Sequence, residues 1–137
     1  MTTSPIIALR KAIRAAVAAN AALASRLANQ PVHDEAPRSA QTPYLTFGDV
    51  MVRDWSTSTD VGAEQILSLH VWSSQPGVGE AVSIAGDVTR LLDNAALSLS
   101  SHHLVTLKLV SIETRRENDG RFGRASMRFR AVTENID

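Results

Sequence analysis

The chain contains no cysteine. Disulfides, thiolate nucleophiles, zinc ribbons and Cys-ligated iron–sulfur centres are therefore excluded together. Aromatic side chains are scarce, at 4% of the residues, which leaves little material for a platform that stacks single-stranded bases. Neither sign of charge dominates, because 14 Lys and Arg face 14 Asp and Glu. A neutral molecule has no overall attraction for nucleic acid or an anionic membrane, so either role would need a local patch. A long uninterrupted apolar run is also missing. The Ala-rich stretch Ile6–Leu27 is broken by Arg10, Lys11, Arg14 and Arg26, and fits neither a signal peptide nor a membrane span. No membrane partner is expected.

What is present is the composition of a soluble globular protein: 137 residues, 44% of them hydrophobic. That length favours one domain, residues 1–137, with enough chain to bury a core. Ser4 and Pro5 are helix-start residues, and Ile6, Leu9, Ile13 and Val17 then recur at spacings of three and four. A break at Asn20 leaves Ala21–Leu27 as a short second helical stretch. Residues Asn29–Pro43 lose periodicity and read as a loop. Tyr44–Phe47 and Val50–Trp55 are predicted strands, with Gly48-Asp49 read as a tight turn between them. Ser56–Gly62 is a polar loop. Gln65–Trp72 alternates strongly, with Leu67, Leu69 and Val71 on one face. An amphipathic helix follows from about Val78 to Leu92, its buried side assigned to Ala81, Val82, Ala85, Val88, Leu91 and Leu92.

The last third reads as a β-hairpin turning at Asn118-Asp119-Gly120. Its return strand sends Ala125, Met127, Phe129 and Ala131 inward and Arg124, Ser126, Arg128 and Arg130 outward. In the outgoing strand the apolar phase slips from Val105, Leu107 and Leu109 to Val110 and Ile112, as a β-bulge would make it. The expected class is α+β: a mainly antiparallel sheet with two amphipathic helices packed on it, in the order α-β-β-β-α-β-β.

Catalytic signatures do not accumulate. His33-Asp34-Glu35 and His102-His103 bring metal-ligand types together, and the first would suit a small metal-dependent hydrolase. Neither has a zinc spacing, however, and adjacent strand residues diverge, so both read as solvated. No G-x-S-x-G elbow is present, and Gly77-Val78-Gly79 lacks the remainder of a dinucleotide or P-loop fingerprint. No catalytic, cofactor or metal residues are assigned. Basic residues, by contrast, are unevenly placed. Lys108, Arg115, Arg116, Arg121, Arg124, Arg128 and Arg130 are half of the 14 and all lie in the C-terminal hairpin. They are candidates for a surface that faces phosphates or an acidic partner, and a DNA-binding module is the alternative function they support.

Particular residues resemble a known family. Pro43-Tyr44-Leu45 into Gly48, then Asp54-Trp55-Ser56, is similar to the first strands of the tail-completion, or tail-terminator, proteins of long-tailed phages and phage-like gene transfer agents. The fuller match is Leu69-His70-Val71-Trp72-Ser73, followed by Gly77, Glu80-Ala81, Ile84-Ala85 and Leu91-Leu92. The resemblance implies a structural virion protein, not an enzyme. Such proteins assemble as a hexameric ring at the head-proximal end of the tail tube, in the virion, after cytoplasmic assembly. The implied partners are further copies of the chain, the tail tube protein, the head-completion or stopper protein, and DNA passing through a channel without sequence-specific binding. The resemblance also implies structural roles for Trp55, Trp72 and Gly77. Trp72 is expected in the core, while Trp55 is a core or interface residue. The loops Asn29–Thr42 and Ser56–Gly62 are candidates to become ordered against tail or head partners.

Overall fold

A computed structural model describes residues 4–27, 32–34, 42–117 and 121–136. Eight elements follow in order: α1 (Pro5–Ala19), α2 (Ala21–Arg26), β1 (Tyr44–Asp54), β2 (Gly62–Ser73), α3 (Gly79–Leu92), β3 (Ser98–Leu99), β4 (His102–Glu117) and β5 (Phe122–Asn135). The Ser4 hydroxyl accepts from the Ile6 N–H and caps α1. Asn20 ends that helix, and its side chain accepts from Leu23 N–H to start α2. Ala8, Leu9, Ile13 and Val17 are the buried stripe of α1.

The strands form one antiparallel sheet in the order β1-β2-β5-β4-β3. Because β2 and β4 point the same way with β5 between them, α3 is the crossover that joins them. The helices bury one face of the sheet. There Leu67, Leu69 and Val71 of β2 meet Ala125, Met127, Phe129 and Ala131 of β5, under Ala81, Ile84, Ala85, Val88 and Leu92 of α3. Burying each of the large side chains is worth about 1.5–3 kcal/mol. Among the described residues, the opposite face carries no helix.

The α+β class and the antiparallel sheet agree with the sequence, but the element order differs in detail. Gly48-Asp49 does not turn the chain. The flanking segments are one strand with a register shift between Phe47 and Val50, because a bulge uses the same small residues as a turn. The helical elements number three among the described residues, and the two-residue β3 had no pattern to reveal it. In α3, Val82, expected on the buried side, is exposed, and Ile84, not assigned to either side, is fully buried. The bulge expected in β4 is present, between Leu109 and Ser111. The hairpin turn at residues 118–120 and most of the 29–42 loop lie outside the described residues. No described helix is long and apolar enough to cross a membrane.

Candidate functional site

The uncovered sheet face is built by strand parity. In β5 the even-numbered residues from Arg124 to Arg130 point away from the helices, opposite Trp72, His70, Ser68 and Ile66 of β2. On the other side they meet Arg115, Glu113, Ser111 and Lys108 of β4. Four of the six candidate arginines, Arg115, Arg124, Arg128 and Arg130, therefore share this face. Arg116 pairs with Gly123 and belongs to the helix side, and Arg121 lies exposed at the hairpin turn.

Charge on this face is balanced in part by its own carboxylates. Glu64 is 5% exposed at its side chain and accepts from Arg53 and from Arg130 Nε at 2.5 Å. The Arg130 hydrogen bond, assisted by that of Arg53 and the charge of both, holds the Glu64 carboxyl below its ordinary range despite burial. Arg130 also lies over the Trp55 ring, 5.0 Å from its centroid, while Trp55 itself is 46% exposed. Arg124 pairs with Glu117 at 3.0 Å and sits 5.4 Å from the Trp72 ring centroid. Among the described residues, the ion pairs leave Lys108, Arg115 and Arg128 without a carboxylate.

Trp72 is not a core residue. It is the even-numbered neighbour of Val71, so it stands on the open face, half-buried among Tyr44, His70 and Phe122 at ring separations of 6.2–6.4 Å. Its indole N–H donates to Thr46 Oγ1 at 3.0 Å. Beside it, His70 Nδ1 and Ser126 Oγ are 2.7 Å apart. Burial lowers the His70 pKa, with help from Arg124 and against Asp49 and Glu117. The bulge brings Gly48 over this ring, where an added Cβ would lie 2.4 Å from His70 Nε2. Asp49, Ser68, His70, Ser111, Glu113 and Arg128 contribute to a shallow depression of about 290 Å³.

Gly77 has φ +78° and forms the turn into α3. Its carbonyl approaches Gly123 so closely that a Cβ there would come within 2.4 Å. Elsewhere, Asp34 is engaged by Arg10 at 3.6 Å and Arg14 at 3.1 Å, with both guanidinium groups over Phe47. Glu35 lies outside the described residues. His102 is buried and His103 exposed on opposite sides of β4. No group of three metal-ligating side chains occurs among the described residues. Arg53, Glu64 and Phe122 were not singled out from sequence, and Tyr44 and Asp49 were read only as parts of a motif and a turn. Of the first three, only Glu64 left a signal: a carboxylate near the start of a strongly alternating strand.

The arrangement offers contact surface and charge balance. Comparison with known proteins agrees with that character. The family model for tail completion protein gp17 matches residues 11–134. The chain is also similar to a chain in a solved structure of the virion of a native gene transfer agent particle. The two are 29% identical, the match covers 98% of this chain and 100% of that one, and the TM-score is 0.87. No curated protein sequence matches.

Proposed function

The chain belongs to the tail completion protein gp17 family, and from that premise we propose that it is a tail terminator. In this reading the whole chain acts as one structural domain. It forms a ring, a hexamer, on the head-proximal end of the tail tube, stops tube polymerisation and joins the tail to the head. The observation that carries the proposal is the full-length likeness, in fold and at 29% identity, to a chain of a gene transfer agent virion. Its partners are further copies of itself, the tube protein and the head-completion protein, and its place is the virion.

Physical features support the reading. A ring requires two different surfaces on each subunit, one for each neighbour. A sheet with helices on one face and an open, charged other face can set its helices outward and its open face toward a channel. Arg115, Arg124, Arg128 and Arg130 then line the path of DNA, while Arg116 and Arg121 face neighbouring proteins. Trp55 and Trp72 hold Arg130 and Arg124 in place, and Gly77 shapes the loop into α3. Arg124 and Arg130 are neutralised by Glu117 and Glu64, which limits the grip of the lining on a DNA that must pass through.

The test is genetic and visual. In a host that produces the particles, deleting the gene is expected to give tails of unregulated length detached from heads, seen by electron microscopy. Restoring the chain should restore tails of fixed length. Normal particles without it would overturn the assignment.

A further inference from the structure

The sheet has two edges, and the described residues close each over only half its length. At β1, the segment at His33 covers the first half: His33 N–H donates to Leu45 C=O at 2.9 Å and Phe47 N–H to His33 C=O at 2.8 Å. At β4, β3 and the end of α3 cover the beginning: Asn94 N–H donates to Leu107 C=O at 2.8 Å, and Leu109 N–H to Asp93 Oδ1 at 2.9 Å. Past the bulges, no described residue pairs with either edge. Register then decides which backbone groups are free. Trp55 N–H points inward to Gly62 C=O, so Val50, Val52 and Asp54 turn theirs outward. In β4 the bulge resets the parity, and Ile112, Thr114 and Arg116 turn theirs outward.

Unpaired edges of this kind are normally blunted by charge, proline or a covering element. These carry charge but also expose apolar side chains, Met51 at 59% and Val52 at 38% on one edge, Val110 at 56% and Ile112 at 41% on the other. Their charges are opposite. Among the described residues, Asp49, Asp54 and Asp60 carry no ion pair at the β1 end, whereas Lys108, Arg115, Arg116 and Arg121 carry none at the β4 end, where Glu113 is the unpaired carboxylate.

We infer that the free half of β4 pairs, antiparallel, with the free half of β1 in a second copy of this chain, making one sheet continuous from subunit to subunit. This rests on the ring reading and names the contact that closes it. Strand direction fits. Within the sheet β1 and β4 run oppositely, and rotation about an axis along the strands preserves that relation. Offset fits as well. Val52 is level with Ala131 of β5 through Gln65, and Thr114 is level with Ala125, a displacement of six residues. Six residues span about 20 Å. Closed sheets tilt their strands by up to about 45°, so a repeat of four strands spaced about 4.8 Å apart shifts by about 19 Å. At the upper end of that tilt, the stagger of a closed sheet matches the displacement between the two free halves.

The absence of cysteine gives the test a clean background. In the full-length chain carrying Val52→Cys and Thr114→Cys, a short bismaleimide should link copies into a ladder ending at the closed ring; neither single variant should give more than dimers. Thr114→Pro removes an outward N–H without touching the β5 ladder and should reduce the light-scattering mass from ring to monomer. Thr114→Val keeps that N–H and should leave the ring intact, with circular dichroism confirming the fold of both. A ring that forms without Val52–Thr114 links, or survives Thr114→Pro, overturns the edge contact and leaves the ring reading standing. A strict monomer in solution, or links formed only to added tube or head protein, overturns the self-pairing as well. The ring reading itself fails only if particles lacking the gene have normal tails.

Discussion

Gly123 and Gly77 touch across the loop into α3, yet they demand glycine for different reasons. At Gly123 the obstacle is the Gly77 carbonyl, backbone that cannot rotate aside. Gly123→Ala should therefore cost about 1–3 kcal/mol through overpacking. Gly77 has open space around its Cβ position but a left-handed backbone, so Gly77→Ala should cost about 1–2 kcal/mol of local strain. Urea unfolding of the two variants and their double mutant checks both values; a neutral Gly123→Ala would contradict the close approach. His70 makes a different prediction. Burial, then Arg124, lowers its pKa below the ordinary 6.5, with Asp49 and Glu117 opposing. As pH falls below about 6.5 the unfolded chain takes up a proton before the folded one does. Stability from this group is thus complete above that pH and declines below it. Thermal melts of wild type and His70→Gln should diverge in slope on the acid side, and parallel slopes would rule out the buried neutral ring. Gly77 already has a structural role in the sequence reading, whereas the surroundings of His70 are not legible there. His70 reads as one polar residue in a strand, and its environment comes from β1 and β5, distant in the chain.

At the scale of elements, legibility follows periodicity. The α1 stripe and the β5 alternation are repeated patterns, and both lie where the sequence puts them. Even the β4 bulge was readable, because a slip of apolar phase has few other causes. The Gly48-Asp49 bulge was not, since a turn and a bulge favour the same residues and only the partner strand tells them apart. Trp72 was misplaced for a related reason: its size argues for the core, but its parity puts it on the far face. For α3, the exposure of Val82 and burial of Ile84 show how a stripe with apolar residues on two sides needs the sheet beneath it to fix its rotation. Burial within α1 gives a direct contrast. Ile13 is fully buried and Ile7 is 61% exposed. Ile13→Ala should cost about 2–5 kcal/mol, whereas Ile7→Ala should stay within about 0.5 kcal/mol. Equal losses in chemical denaturation would mean that α1 docks on a different face.

Taken whole, the molecule is neutral, with half its basic residues in one hairpin, and the two readings of that hairpin part over what those arginines do. A DNA-binding module would keep them free for phosphates. Here Arg130 is committed to Glu64 and Trp55, and Arg124 to Glu117 and Trp72. Arg128 alone of the three on β5 is exposed and without an ion pair among the described residues. Substituting each by Ala should therefore separate stability from DNA retention. Arg130→Ala leaves the buried Glu64 with only Arg53 and should lower the melting temperature, with little effect on DNA. Arg128→Ala should leave the melting temperature unchanged and account for nearly all of whatever weak, salt-sensitive DNA affinity the triple variant loses. Each phosphate contact contributes about −0.9 to the slope of log K against log salt, so the slope should change by about one for Arg128→Ala and stay flat for the other two. If instead all three variants lower affinity equally at unchanged stability, the arginines face phosphates together, and the partly neutralised lining proposed for a DNA passage gives way to a binding surface.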